Sequence, residues 1–475
     1  MTSRNEKLAK NTILFAIGNL GSKLLQIILV PFYTRVMTSS EFGTADVLQA
    51  IVSLLLPIFS LTIYEGVFRY TMEKEYNKNA VYTVGIIISA LGAIILCIIG
   101  GFLSAFTLID YVWIVVFNSI AGFFRSLFSQ YARAVDKTGL FTLDNVLLTF
   151  YVLAFNIVFI VFLNMGVMGY MLGYTVANLL SCIFLFIFLG PYRKLDFKSV
   201  KFPLFKEMLW FSIPLIPNAI CWWISSFIDR IIITSVIGEA ANGIYAAGHK
   251  IPSLLSVVVT IFFQAWQISA NQEFKKKDIS QFYTEIHDQI FAVIMLVSSG
   301  LILLCRPVTS IFLGKDYYEA WTVMPLLLIA MSFFSFAQFL GSIYSANKKT
   351  VMAFVTNFIA VIVSLGLNIL LVAFLKIGII GSAIATSIGY FVLWIIRIKS
   401  TKKIVPIFYN IKKMFSCVLL IILQAILITL NVNVLFTYII ASIITVALVI
   451  ILRDNIISLI NFAFSFIKKI IRKEK

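Results

Sequence analysis

Five basic side chains fall where a bilayer would make them costly. Lys23, Arg125, Arg230, Lys250 and Arg306 all lie within or near the ends of long apolar runs. A charge in hydrocarbon is expensive, so such residues usually face a water-filled cavity or a partner. The acidic side chains read inside the same runs are Asp229 and, near the inner end of the second run, Glu65. That surplus of cations suits an anionic group, phosphate above all, because ammonium and guanidinium donors hold its oxygens through charge-assisted hydrogen bonds. Each residue also has a plainer reading. Lys23 sits near the middle of its run, where snorkelling is difficult. Asp229 and Arg230 are adjacent and cannot face each other across a helix, so each pairs with a neighbouring helix or with substrate. His249 and Lys250, beside Pro252, either line a cavity or reach the outer interface. Arg306, before Pro307, is expected to snorkel outward, and Arg125 either lines a path or anchors Asp136 or a carbonyl. Glu65 and Arg69 are one helical turn apart and read as a local pair. His287 opens a run and reads as interfacial.

No arrangement of an enzyme is visible. There is no phosphate-binding loop of Walker type, no GxSxG, no HExxH and no metal-spaced carboxylate cluster. Neither a cofactor nor a metal is therefore expected, and two histidines, His249 and His287, are too few for a typical zinc or haem site. The five cysteines, Cys97, Cys182, Cys221, Cys305 and Cys417, all sit in apolar runs and read as small buried hydrophobes.

The elements that must position these residues follow from composition. Of 475 residues 61% are hydrophobic and only 12% charged, about half the charge of an ordinary soluble domain. The apolar runs are about 20 residues or longer, enough to cross about 30 Å of hydrocarbon, and without strict alternation they select helices. The expected fold is an all-α membrane protein of about fourteen spans, near 12–34, 44–68, 80–108, 111–132, 142–163, 167–190, 208–237, 242–270, 286–312, 321–346, 352–375, 378–398, 414–431 and 434–452. The first run is read as a retained span because no cleavage site follows it. The net charge of +17 does not point to nucleic acid, because the basic residues sit between the runs rather than on one module. With the N-terminus inside, thirty lysines and arginines fall in inner loops and tails and three, Arg35, Lys315 and Lys376, in outer loops. This asymmetry orients both termini to the cytoplasm.

An internal repeat divides the spans. Shifted by 212, residues 134–176 lie over 346–388 with eleven identities in 43 positions. Lys137, Thr138, Asn145 and Asn156 meet Lys349, Thr350, Asn357 and Asn368. The expected organisation is a six-helix bundle over 1–190, a cytoplasmic linker over 191–207, a second six-helix bundle over 208–398, two further helices over 399–452, and a basic amphipathic tail over 453–475. A shift of six spans makes the repeat parallel, a plan common in transporters that carry substrate between the halves. Pro31 and Pro57 in spans one and two, and Pro214, Pro217 and Pro252 in spans seven and eight, mark bends at equivalent places. Those four spans also hold Lys23, Asp229, Arg230, His249 and Lys250.

At these positions the chain resembles a known family. The stretch Val30-Pro31-Phe32-Tyr33-Thr34-Arg35-Val36-Met37-Thr38-Ser39-Ser40-Glu41-Phe42-Gly43 is similar to the first-span motif of bacterial polysaccharide flippases. So are Phe227-Ile228-Asp229-Arg230, Gly243-Ile244-Tyr245-Ala246-Ala247-Gly248-His249-Lys250 and Phe312-Leu313-Gly314-Lys315-Asp316-Tyr317. The family is the polysaccharide branch of the multidrug/oligosaccharidyl-lipid/polysaccharide exporter superfamily, the O-antigen and capsule repeat-unit flippases. The resemblance implies two six-helix bundles around a central cavity and alternating access in a bacterial inner membrane. It implies a polyprenyl-pyrophosphate-linked oligosaccharide as substrate, its pyrophosphate on Lys23, Arg230 and Lys250. The implied partners are that substrate, membrane lipids, a coupling ion (H+ or Na+) and a polysaccharide polymerase. The two C-terminal spans look more like the peptidoglycan-precursor flippase branch, or like some capsule flippases. A multidrug or small-molecule exporter and a non-transporting scaffold are the other classes to set against this one.

Overall fold

A computed structural model of the chain describes residues 29–73, 75–106, 110–190, 195–253, 255, 279–347, 350–430 and 433–458. The described residues are helical, and twelve helices among them are long and apolar enough to cross a membrane. The first and eighth of the fourteen expected spans lie largely outside the described residues and show only α1 (29–36) and α10 (239–253). Helix contacts divide the chain into two compact units, Met1–Ile231 and Ile232–Lys475.

The first unit continues with α2 (Ser39–Phe59), α3 (Ile63–Met72), α4 (Lys78–Phe106), α5 (Val112–Ala134), α6 (Thr138–Asn156), α7 (Gly166–Leu189), α8 (Phe202–Ser212) and most of α9 (Leu215–Val236). Thr38 starts α2 with a capping box: its hydroxyl accepts from the Glu41 N–H while the Glu41 carboxylate accepts from the Thr38 N–H. One core of this unit packs Ile63 and Val67 of α3, Tyr82 of α4, Leu127 and Tyr131 of α5, and Met208 of α8. The opposite face of α4 exposes Ile94, Ile98 and Phe102, the inverse of a soluble protein and the expected face toward lipid.

Two of the spans read as continuous break near a predicted proline bend, and the ninth breaks at Leu304. The second breaks at Ser60–Thr62, three residues after Pro57, with Leu61 and Thr62 at φ of 50° and 49°, a conformation few side chains adopt. The seventh breaks between α8 and α9 at Pro214, which has no N–H to continue the ladder. The two breaks touch. The Thr62 hydroxyl donates to the Ser212 carbonyl at 2.6 Å, and a Cβ added at Gly66 would lie 2.7 Å from Ser212 Oγ. Helix continues across Pro31, Pro217 and Pro252, with Pro217 in the first turn of α9, where a missing N–H costs little. Helix α8 begins at Phe202, inside the stretch read as linker to 207.

The second unit holds α10, α11 (Ile279–Leu303), α12 (Cys305–Phe312), α13 (Met324–Ala346), α14 (Thr350–Asn368), α15 (Ile379–Thr401), α16 (Ile411–Leu430) and α17 (Val434–Ile451). The last two helices are fastened to α11 through a buried amide. Gln424 Nε2 donates to the Ser299 carbonyl at 3.3 Å, the Ala441 carbonyl at 3.2 Å and Thr445 Oγ1 at 3.0 Å, and its Oε1 accepts from Ser299 Oγ at 2.9 Å. The link before α16 is pinned to the start of α11, where Thr284 Oγ1 accepts from the Phe408 N–H at 3.1 Å and Ser280 Oγ donates to the Pro406 carbonyl. His287, expected at an interface, is buried there among Phe291, Phe339 and Tyr409, because the 402–410 link covers it.

The repeat is carried by backbone geometry as well as by residue identity. A π turn at Ile157–Phe162 recurs at Ile369–Phe374, offset by 212. In both, the N–H following the turn bonds five residues back, Leu163 to Val158 at 3.0 Å and Leu375 to Leu370 at 2.9 Å. Asn164 and Lys376 then take φ of 51° and 52°, and Gly166 and Gly378 are left-handed as well. Helix α5 maps onto α13 and α6 onto α14 with the same offset.

Candidate functional site

Arg230, on α9, is buried, and its partner is an aspartate that the sequence reading passed over. Its Nη1 lies 3.1 Å from Oδ2 and 3.3 Å from Oδ1 of Asp46 on α2. The Phe227 ring covers the guanidinium at 5.0 Å, and Trp223 on the same helix donates its indole N–H to the Ala50 carbonyl at 2.7 Å. Thus α2 and α9 are tied at two levels by one helix face each. Asp229 is buried too, and its Oδ1 accepts from the Arg230 N–H at 2.9 Å.

Around Asp46 the first unit is unusually polar. Tyr170, Tyr174, Asn178 and Ser181 follow one another along a single face of α7, a spacing of four, four and three residues. Tyr170 and Tyr174 lie within electrostatic reach of Asp46. The Tyr170 ring packs at 4.9 Å from Tyr33, whose hydroxyl accepts from Asn156 Nδ2 at 2.6 Å. Asn178 donates to Asn118 at 3.0 Å, and Asn118 to Gln49 at 3.3 Å. Ser181 donates to Asp144. Only glycine fits at 173, since a Cβ there would overlap the Asn156 amide.

Arg125 is engaged by Asp144, not by Asp136. Its Nη2 lies 3.0 Å from Asp144 Oδ2 and 2.8 Å from Asn145 Oδ1, and Nε donates to Ser181 Oγ at 3.1 Å. Asp136 belongs to the turn ahead of α6, with φ of 65°. Asp46 and Asp144 each stand two residues inside the expected spans 44–68 and 142–163, where a carboxylate reads as an edge residue. The cationic surplus read from the sequence is smaller by these two charges, because Arg125 and Arg230 each hold their own aspartate.

Other candidates sit as follows. Lys23 lies outside the described residues. His249 and Lys250 are half-buried on α10 in the second unit, the His249 ring 6.4 Å from Tyr245. Arg306 stacks its guanidinium on Trp321 at 3.9 Å. Arg69 pairs with Glu73 at 3.3 Å rather than with Glu65. Arg397, counted as an inner-loop charge, is instead buried near the end of α15 and donates to the Ala337 carbonyl at 2.7 Å, Thr356 Oγ1 at 3.2 Å and Asn357 Oδ1 at 3.2 Å.

Residues 8–267 match the profile of a family described as polysaccharide biosynthesis protein. A protein of the Lsg locus of Haemophilus influenzae is 23% identical over 331 residues, 66% of this chain and 79% of that protein. An uncharacterised membrane protein of Methanocaldococcus jannaschii is 25% identical over 429 residues, 83% of this chain and 99% of that protein. Among solved structures, the lipid II flippase MurJ in an inward closed conformation superposes with a TM-score of 0.69 at 15% identity, covering 94% of this chain and all of that one. An inward-facing multidrug resistance transporter of the MATE family and MOP superfamily superposes with a TM-score of 0.65 at 14% identity, over 82% of this chain and 97% of that one. At these identities the two superpositions establish a shared fold.

Proposed function

The chain belongs to the polysaccharide biosynthesis protein family, and from that premise we propose that it is a flippase for a lipid-linked oligosaccharide. Its substrate is a repeat unit on polyprenyl pyrophosphate, moved across a bacterial inner membrane by alternating access for capsule, O-antigen or exopolysaccharide synthesis. Both termini are cytoplasmic in this reading. The observation that carries it is the buried Arg230–Asp46 pair at 3.1 Å. A guanidinium held by a carboxylate can exchange that partner for a pyrophosphate without ever standing unpaired in a low dielectric. Lys23 and Lys250 are proposed as further cations for the pyrophosphate, and Asp229, His249 and Arg125 as further substrate-binding residues. The six-plus-six organisation with two added helices belongs to the same proposal, as does a coupling ion.

The test is reconstitution of the full chain into vesicles with a fluorescent polyprenyl-pyrophosphate oligosaccharide. Protein-dependent loss of the label from the loading leaflet is expected, slowed in Arg230→Ala. If wild-type protein leaves the label in place, or if Lys23→Ala, Arg230→Ala and Lys250→Ala all move it at the wild-type rate, the proposal fails.

A second reading has one observation behind it. The superposition on the lipid II flippase extends over 94% of the chain, against 82% for the MATE transporter, which favours a peptidoglycan-precursor flippase. Accumulation of lipid II on depletion, with surface polysaccharide unchanged, would select it. A gain in drug tolerance on overexpression without a glycan defect would select an exporter instead.

A further inference from the structure

We propose that the first unit holds a binding slot for one acyl chain of a membrane phospholipid, between α2, α4 and α5. A cavity of about 240 Å3 lies there. Leu48, Leu55 and Phe59 of α2 form one wall, Leu96 and Gly100 of α4 another, and Val116 of α5 a third. Gly100 lets α4 approach α5 closely along the slot, since a Cβ there would lie 2.8 Å from Val116 Cγ2.

Shape and chemistry both select hydrocarbon. Eleven residues of helix separate Leu48 from Phe59, so the slot is about 16 Å deep at 1.5 Å per residue. Its volume equals about eight waters at about 30 Å3 each, yet these apolar walls give water almost nothing to bond. Ile95, Ile98 and Phe102 of α4 are exposed beside it, so it adjoins the surface that meets lipid. Asp110 and Tyr111 line one end. Tyrosine and carboxylate at that level mark the headgroup region, and the exposed Asp110 carboxylate complements an ammonium headgroup such as that of phosphatidylethanolamine. The other end is Phe59, the residue before the Ser60–Thr62 break. An unbranched acyl chain enters such a slot without the methyl groups that a polyprenyl tail carries. This site does not depend on which substrate the protein moves.

Delipidated full-length protein would be titrated with dioleoyl phosphatidylethanolamine and read by native mass spectrometry. One phospholipid held per chain is expected. Gly100→Leu and Leu55→Trp, which fill the slot from two helices, are expected to weaken it at least about tenfold. On the wild-type protein, phosphatidylethanolamine with a diazirine in its acyl chain is expected to label residues 48–59 and 96–100. Label spread over the exposed face of α4 would overturn the proposal, even if both variants misfold. So would equal retention by folded variants, or displacement of the phospholipid by polyprenyl phosphate.

Discussion

Arg125 and Arg397 place their guanidinium groups on the same asparagine of the two repeats from different helices. Arg125 of α5 donates to Asn145 at 2.8 Å, and Arg397 of α15 to Asn357, 212 residues further, at 3.2 Å. The second arginine also donates to the carbonyl of Ala337, the residue standing at Arg125's own place in the repeat. Thr356 stands where the first copy has Asp144. One copy therefore neutralises its half-buried arginine with a carboxylate, and the other satisfies its buried one with a carbonyl, a hydroxyl and an amide.

This difference predicts unequal responses to truncation. Asp144→Leu strands Arg125 beside a lost carboxylate and is expected to destabilise by about 3–5 kcal/mol. Arg125→Met combined with Asp144→Leu is expected to recover most of that, while Thr356→Val is expected to cost about 1 kcal/mol. Thermal unfolding of the detergent-solubilised protein measures all three. A double variant no better than Asp144→Leu alone would contradict the account.

The Arg230–Asp46 pair is expected to separate folding from transport. Exchanging the two charges, Asp46→Arg with Arg230→Asp, keeps a buried ion pair but moves the cation from α9 to α2. We predict membrane abundance near wild type, with flipping in vesicles reduced at least about tenfold, or about 1.4 kcal/mol. Flipping at the wild-type rate would make the pair purely architectural.

At Gly173 and Gly139 the same substitution is expected to have opposite signs. Gly173→Ala pushes a methyl into the Asn156 amide and breaks its bond to the Tyr33 hydroxyl, costing about 1–3 kcal/mol. Gly139→Ala, in the first turn of α6 with nothing within 4 Å of the added methyl, is expected to stabilise by up to about 1 kcal/mol through helix propensity. Paired melting curves decide, and the sign at Gly139 is the sharper test.

Gln424→Leu is expected to loosen the last two helices without unfolding the rest. It removes every hydrogen bond tying the amide to Ser299, Ala441 and Thr445, for a loss of about 1–3 kcal/mol. Limited proteolysis should then cut the 402–410 link faster than in wild type. An unchanged cleavage rate would mean that apolar packing alone holds α16 and α17.

Run length was enough to read the helical membrane fold, because hydrocarbon thickness and backbone satisfaction leave few alternatives. Asn145, Asn156, Asn357 and Asn368 announced the repeat, since asparagines recurring in apolar runs carry more information than leucines do. Asp46 and Asp144 escaped because a carboxylate two residues inside a run resembles a loop residue until its arginine is known. Arg397 escaped for the mirror-image reason: a cation near a helix end satisfies the loop-charge rule whether it points to water or back into the bundle. His287 is buried by a link that periodicity does not describe. The breaks at Ser60–Thr62 and Pro214 were legible only as prolines, and their mutual hydrogen bond is tertiary.

The two π turns bear on descent. A π turn closes its hydrogen bonds one residue further back than an α turn and is rare, so its recurrence at one offset is informative. Both copies carry it at corresponding places, Ile157–Phe162 and Ile369–Phe374, each followed by the same left-handed exit. The simplest history puts the π turn first and the doubling second. The ancestral half-length gene would then already have possessed the kink, and the present chain would have inherited it twice.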